Sequence, residues 1–190
     1  MIVYLHGFNG SPTSFKPRLL SDRMRALGVG EEFRAPGLPD LPNDAIKAAE
    51  AEIADSDPAA VTWVGSSLGG YYATWLAEKH GCRAVLVNPA LRAYELLVGN
   101  LGEHTNPYTG ERYRFTREHL VQLRQLEVAS LALPQRYLLL VTTGDKVLDY
   151  RRASAYYLGA RQIVVEGGDH SFSGFGDHLD AVLRFARVIA

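Results

Sequence analysis

The sequence predicts a doubly wound α/β domain built on a mostly parallel six-stranded sheet with helices on both faces. Six short apolar runs end in turn residues, and they alternate along the chain with segments of helical spacing. Most of the runs are continuously apolar, which is typical of parallel strands that are covered on both faces. Parallel neighbours need a crossover connection, and the intervening helices provide it.

The predicted elements follow in a regular order along a single domain, residues 1–190, because no low-complexity linker divides the chain. Strands are predicted over residues 2–6, 32–35, 60–64, 84–87, 137–142 and 162–166. Helices are predicted over residues 14–27, 43–54, 68–80, 150–158 and 177–189. A stiff, proline-rich loop over residues 35–42 follows the second strand.

Residues 91–132 interrupt this alternation after the fourth strand. The segment contains glycines, an Asn-Pro pair and one predicted helix over residues 117–126. A connection of this length between core elements is often a lid or a substrate-binding loop. The alternative is a surface flap that only covers a sheet edge.

Composition and charge limit the classes of partner and the compartment. A formal net charge of -1 provides no strong field for nucleic acid or an anionic membrane. We see neither an apolar run long enough to cross a bilayer nor a secretory signal pattern. The single cysteine, Cys82, cannot form an intramolecular disulfide, which fits a reducing compartment. We therefore expect a cytoplasmic protein without a membrane span.

The strongest motif is the G-x-S-x-G match over residues 65–69, which lies between a predicted strand and a predicted helix. A serine nucleophile has to stand clear of the strand end, and small flanking residues permit the sharp turn that this requires. The middle position is Ser67, so it is favoured over the adjacent Ser66. The alternative is a purely structural tight turn. A phosphate-binding loop is disfavoured because its Lys-Ser or Lys-Thr pair is missing.

A serine hydroxyl needs a base, and the base needs a carboxylate that orients it. Asp145 follows Gly144 at the end of the fifth strand, and His170 lies in a glycine-led loop after the last strand. These positions predict Asp145 as the acid and His170 as the base. Asp149 is the alternative acid, although its position before a helix also fits an N-cap.

The remaining candidates are weaker. Phe8 and Leu68 are predicted to supply the two backbone N–H groups of an oxyanion hole, the alternative for the Phe8 loop being a plain turn. An apolar acyl pocket is predicted, with ordinary core packing as the alternative, and its candidate residues are Phe8, Tyr71, Tyr94, Leu96, Leu97 and Tyr108. The histidines that follow no core strand are expected to be solvated, and they are His80, His104, His119 and His178. Their spacing does not match that of a metal site.

With these residues assembled, the sequence resembles the α/β-hydrolase superfamily, and within it the small bacterial YqiA/YcfP-type esterases. The segments that carry the resemblance are YLHGFN at 4–9, GSSLGGYYATWL at 65–76, VNPA at 87–90, NPYTG at 106–110, TGDKVLDY at 143–150 and EGGDHSF at 166–172. The superfamily's acid motif, D-x-V-V-P, aligns Asp145 as the acid but has proline where this chain has Asp149.

The resemblance implies a sheet in the order 2-1-3-4-5-6, with the site at the switch point between strands 1 and 3. It also implies esterase activity on small acyl esters, including acyl-CoA thioesters, without a metal or cofactor. The leading hypothesis is a serine hydrolase that forms an acyl-enzyme on Ser67. A peptidase or a C–C bond hydrolase with the same three side chains, or a non-catalytic binding module of this fold, remains an alternative.

Overall fold

The computed structural model describes residues 1–190, and its centre is one parallel sheet. The sheet strands are β1 (Ile2–Leu5), β2 (Phe33–Arg34), β3 (Thr62–Ser66), β4 (Arg83–Val87), β7 (Tyr137–Thr142) and β8 (Arg161–Val165). Two further strands, β5 (Gly102–Thr105) and β6 (Arg112–Phe115), lie apart in a hairpin. Their spatial order is β2-β1-β3-β4-β7-β8, and every neighbouring pair is parallel. Numbered among themselves, the six strands have the order 2-1-3-4-5-6, so the predicted topology is confirmed.

Seven α-helices accompany the strands. They are α1 (Phe15–Ala26), α2 (Pro42–Ala51), α3 (Leu68–His80), α4 (Ala93–Leu96), α5 (Arg117–Gln125), α6 (Tyr150–Tyr156) and α7 (Leu179–Phe185). None of these helices is long and apolar enough to cross a bilayer. The last helix begins later than predicted because residues 173–178 form a 3-10 turn, where Gly174 and Gly176 disfavour the α-helix.

Helices cover both faces of the sheet, as predicted. Along β1 the side chains alternate, so that Val3 and Leu5 pack into one core cluster and Ile2 and Tyr4 into the other. Helices α2, α3 and α6 contribute to the first cluster, and α1 and α7 contribute to the second. The strands are therefore apolar on both sides, which explains their continuous apolar runs.

The segment 91–132 contains an element that the sequence did not reveal. Strands β5 (Gly102–Thr105) and β6 (Arg112–Phe115) form an antiparallel hairpin. Its turn is held by Asn106, whose Oδ1 accepts the N–H group of Tyr108 at 2.9 Å. Charged residues occupy its outer face, and only alternate residues point inward, so the hairpin lacks the continuous apolar run by which the core strands were predicted.

His119 is buried, which corrects the expectation that it is solvated. It is 3% exposed, and its ring packs against Phe115 with ring centroids 4.6 Å apart. Its Nδ1 accepts the N–H group of Thr116 at 3.1 Å, within the capping box of α5. Its Nε2 lies 3.2 Å from Asp40 Oδ2, so this side chain connects the segment 91–132 to the proline-rich loop after β2.

Candidate active site

Three side chains from separate parts of the chain form one hydrogen-bonded line at the carboxyl edge of the sheet. Ser67 Oγ lies 3.1 Å from His170 Nε2. His170 Nδ1 lies 2.7 Å from Asp145 Oδ2. Because parallel strands end at the same edge, residues that follow β3, β7 and β8 meet there although they are distant in sequence.

Ser67 occupies a sharp turn between β3 and α3. Its φ of 53° and ψ of -120° lie outside the common regions for a residue with a side chain. The turn is possible only because its neighbours are small. A Cβ at Gly65 would overlap the backbone of Gly69, and a Cβ at Gly69 would overlap the carbonyl group of Leu5. The serine hydroxyl therefore projects from the turn rather than packing along the strand.

Asp145 is held so that one carboxylate oxygen is directed at His170. Its Oδ1 accepts the N–H groups of Val147 at 2.7 Å and Leu148 at 2.9 Å. The other oxygen, Oδ2, remains for the imidazole. The Asp145 side chain is only 1% exposed, whereas the His170 side chain is 28% exposed. The carboxylate is thus shielded from water while the imidazole stays accessible to a ligand.

The alternative acid, Asp149, lies elsewhere. Its Oδ1 accepts the N–H group of Arg151 at 3.0 Å, which makes Asp149 the N-cap of α6. The Asp149 carboxylate also lies 3.6 Å from the Arg151 guanidinium, and its side chain is 48% exposed. It makes no hydrogen bond to His170.

Two backbone N–H groups beside Ser67 are available to a ligand. Leu68 is the first residue of α3, so its N–H group has no acceptor within the helix. Phe8 lies in the turn after β1, and its N–H group donates no hydrogen bond within the chain. The Phe8 ring packs edge-on against His104 at 5.3 Å and Phe115 at 5.5 Å. The hairpin, which sequence reasoning missed, thus supports the loop that presents this N–H group.

A pocket of about 340 Å³ opens beside Ser67 and His170. Its apolar lining includes Phe8, Leu96 and Leu97 from the predicted set, together with Val147 and Leu148. Val147 and Leu148 were not predicted, although they directly follow the acid in sequence. No Lys, Arg, Asp or Glu side chain lines this pocket.

The three tyrosines proposed for the pocket lie outside it. The hydroxyl of Tyr71 donates to the Leu123 carbonyl oxygen at 2.8 Å, and the ring borders a second cavity of about 400 Å³. The Tyr94 hydroxyl donates to Glu127 at 3.0 Å. Tyr108 is 57% exposed at the hairpin turn. An aromatic residue close in sequence to the G-x-S-x-G motif therefore need not line the pocket. Tyr71 does not line it, because α3 directs its side chain toward α5.

Two ionisable groups near the site have shifted pKa values. Burial lowers the pKa of Lys16 to about 8, against the opposing effect of Asp169. Burial also lowers the pKa of His6, which favours its neutral form. The neutral ring accepts the Leu38 N–H group at Nε2 and donates from Nδ1 to the Gly7 carbonyl oxygen. His6 thus links the Phe8 loop to the proline-rich loop. No group of three or more His, Cys, Asp or Glu side chains in the chain could hold a metal ion.

Known structures share this architecture. A protein from Agrobacterium vitis S4 is 21% identical, with 97% of this chain and 87% of that chain covered and a TM-score of 0.76. The alpha/beta hydrolase domain-containing protein 10 from mouse is 15% identical, with 100% of this chain and 90% of that chain covered and a TM-score of 0.72. The esterase domain of a Rhodothermus marinus protein is 19% identical, with 96% of this chain and 85% of that chain covered and a TM-score of 0.62.

At these identities the likeness establishes the fold, and it confirms the α/β-hydrolase architecture that the resemblance implied. The family is established separately, by a family model that matches residues 1–187. The chain therefore has the α/β-hydrolase fold and belongs to the Uncharacterised protein family (UPF0227).

Proposed function

We propose that this protein is a serine hydrolase that cleaves small carboxylic esters or thioesters through an acyl-enzyme on Ser67. The observation that carries this proposal is the hydrogen-bonded line from Asp145 through His170 to Ser67. Two free N–H groups and an apolar pocket adjoin the hydroxyl. A nucleophile, a base, an orienting acid, oxyanion donors and an acyl pocket are the parts that acyl transfer requires.

In the first half of the proposed reaction, His170 Nε2 takes the Ser67 proton as the oxygen attacks the substrate carbonyl carbon. The carbonyl oxygen becomes negative and accepts hydrogen bonds from the N–H groups of Phe8 and Leu68. Asp145 stabilises the imidazolium and keeps its Nδ1–H directed at the carboxylate. The tetrahedral intermediate then collapses, and His170 returns the proton to the departing alcohol or thiol.

In the second half, water replaces the leaving group. His170 removes a proton from the water as it attacks the acyl-enzyme, and the same N–H groups stabilise the second oxyanion. Collapse releases the carboxylic acid and restores the Ser67 hydroxyl. Every proton transfer in this cycle uses His170, so the proposed reaction needs no metal or cofactor.

The pocket indicates which acyl groups fit. Its lining is apolar and lacks Lys, Arg, Asp and Glu side chains, so a charged acyl group would lose its hydration without gaining an ion pair. An uncharged aliphatic acyl group would instead bury apolar surface there. The proposed substrates are therefore esters or thioesters of aliphatic acids whose acyl chains fit in about 340 Å³.

Labelling with a fluorophosphonate probe tests the proposal directly. We expect the wild-type protein to form a covalent adduct on Ser67, because the probe needs a serine activated by a base and an oxyanion hole. Intact-mass spectrometry measures the adduct, and peptide mapping locates it. Heat-denatured protein serves as the control and should not react. A folded protein that remains unlabelled would favour a non-catalytic binding module.

The size of the pocket gives a second expectation. Replacing Leu97 by tryptophan fills part of the pocket, so kcat/KM for an octanoyl ester should fall about tenfold or more, while that for an acetyl ester changes by less than about twofold. Steady-state hydrolysis of p-nitrophenyl esters of increasing acyl length measures the change. The matched control is Leu133→Trp, at a position that is 52% exposed and outside the pocket. Equal losses on all esters would show that the acyl chain lies elsewhere.

A further inference from the structure

A buried side chain that is not part of the Ser67–His170–Asp145 line holds the backbone of the loop that carries His170. Asn88 Nδ2 donates to the carbonyl oxygens of Asp169 and His170, both at 3.1 Å. Thr142 Oγ1 donates to the same Asp169 carbonyl oxygen at 3.0 Å. The residue that supplies the imidazole and the residue before it are thus both held to the ends of β4 and β7.

The orientation of the Asn88 amide is determined by its surroundings. Its Oδ1 accepts the N–H group of Thr142 at 3.0 Å, so the opposite end of the amide must donate. Asn88 is 3% exposed, and its φ of 41° lies in the left-handed region, which asparagine and aspartate enter more readily than most residues. Both ends of a buried amide are therefore used to join the end of β7 to the His170 loop.

The local hydrogen bonds of the loop, such as the one from the Gly144 N–H group to the Gly167 carbonyl oxygen at 2.7 Å, do not involve the backbone of His170. Gly167 and Gly168, at φ 69° and 74°, let the chain turn back over the sheet, but glycine loses much conformational freedom when it is ordered. Outside the core, Lys16 Nζ donates to the Ser171 carbonyl oxygen at 2.6 Å. Asp145 holds the far side of the imidazole, but a hydrogen bond to the ring does not fix the backbone that carries it.

We propose that Asn88 is a positioning residue for the base. Its hydrogen bonds hold the backbone of His170 where the ring Nε2 lies within hydrogen-bond distance of Ser67 Oγ. This inference rests on the proposed function of that site. The Asn88 contact holds the backbone of His170, and the Asp145 contact directs its ring. Releasing the backbone would let the ring move away from Ser67, and a displacement of about 1 Å can cost about 100-fold in rate.

Asn88→Asp tests the proposal with almost no change in shape. The new side chain tolerates the left-handed backbone and keeps an oxygen for the Thr142 N–H group, but it presents an oxygen rather than an NH₂ group to the two carbonyl oxygens. We expect kcat on p-nitrophenyl butyrate to fall about 10- to 100-fold while KM stays within about twofold, since the pocket lining is unchanged. The matched control, Asn43→Asp on the exposed start of α2, should keep wild-type kcat.

A second measurement does not depend on turnover. The proton shared by His170 Nδ1 and Asp145 should give a far-downfield proton NMR resonance in the wild type, and this resonance should broaden or disappear in Asn88→Asp. Thr142→Val should weaken it as well, whereas Thr142→Ser, which keeps the hydroxyl donor, should restore it. Because Asn88 Nδ2 also donates to Thr142 Oγ1 at 3.3 Å, this pair tests the same network if Asn88→Asp fails to fold.

Wild-type kcat together with an unchanged resonance in Asn88→Asp would overturn the positioning role; if that variant does not fold, the same result in Thr142→Val would overturn it. The failure of the proposed function has a different signature, because the wild-type protein would then neither label with the fluorophosphonate probe nor hydrolyse esters. The resonance would still report whether Asn88 holds the imidazole.

Discussion

Ser67→Ala is expected to reduce ester turnover by a factor on the order of 10⁵ or more, because no other group in the site can form the acyl-enzyme. The fold should survive the change. The Ser67 hydroxyl forms a single hydrogen bond within the chain, to His170, and alanine at the same positive φ is strained no more than serine. Initial rates on p-nitrophenyl butyrate measure the effect, and the thermal unfolding midpoint checks the fold.

The adjacent serine is the matched control. Ser66 is 6% exposed at the end of β3, and we expect Ser66→Ala to retain most of the wild-type rate. The two variants differ by one position in the same turn, so general damage to the turn would affect both. Full activity in Ser67→Ala would refute the assignment of the nucleophile, and loss of activity only in Ser66→Ala would move that assignment by one residue.

Asp145→Asn is expected to lower kcat by about 10⁴-fold, by analogy with the same change in other serine hydrolases. The asparagine amide can donate to His170 Nδ1, and a ring that accepts at Nδ1 carries its proton on Nε2. In that tautomer the imidazole cannot take the proton of Ser67. The geometry would stay intact, so the loss should appear in kcat with an unchanged unfolding midpoint.

Asp149→Asn makes the identical chemical change four residues further along the chain. Aspartate and asparagine are about equally good N-caps, so α6 should keep its stability, and kcat should stay within about twofold of the wild type. Steady-state kinetics of the two variants side by side decide which carboxylate orients the base. A crippled Asp149→Asn protein beside a nearly normal Asp145→Asn protein would reverse the assignment.

The core strands and the positions of Ser67, Asp145 and His170 were predictable from sequence because the signals for them are local, whereas the order of the strands was implied by the family resemblance. Apolar runs of strand length mark the core strands, and the glycines around Ser67 mark a turn that only small residues permit. The position of Asp149 directly before a helix, which is also a local feature, distinguished it from Asp145 as a candidate acid. Once parallel strands are assigned, their shared edge brings the three residues together.

The surroundings of these residues were decided only by tertiary structure. Three of the predicted pocket residues, Tyr71, Tyr94 and Tyr108, lie outside the pocket beside Ser67. The direction of Tyr71 depends on the packing of α3 against α5, and such contacts cannot be recognised from periodicity in the sequence. The buried His119 contacts Asp40, which is 79 residues away in the chain. The amide of Asn88 likewise finds carbonyl oxygens 81 and 82 residues further on.

The sequence by itself therefore determined which segments form the six core strands and most of the helices, and which three side chains reach the edge of the sheet, while the order of the strands was implied by the family resemblance. Only the tertiary structure decided which residues line the pocket, which loops support Phe8, and what holds His170 in place. The physical reason is that backbone propensity and apolar periodicity act over a few residues, whereas pocket walls and buried polar contacts form between segments that meet only after the chain has folded.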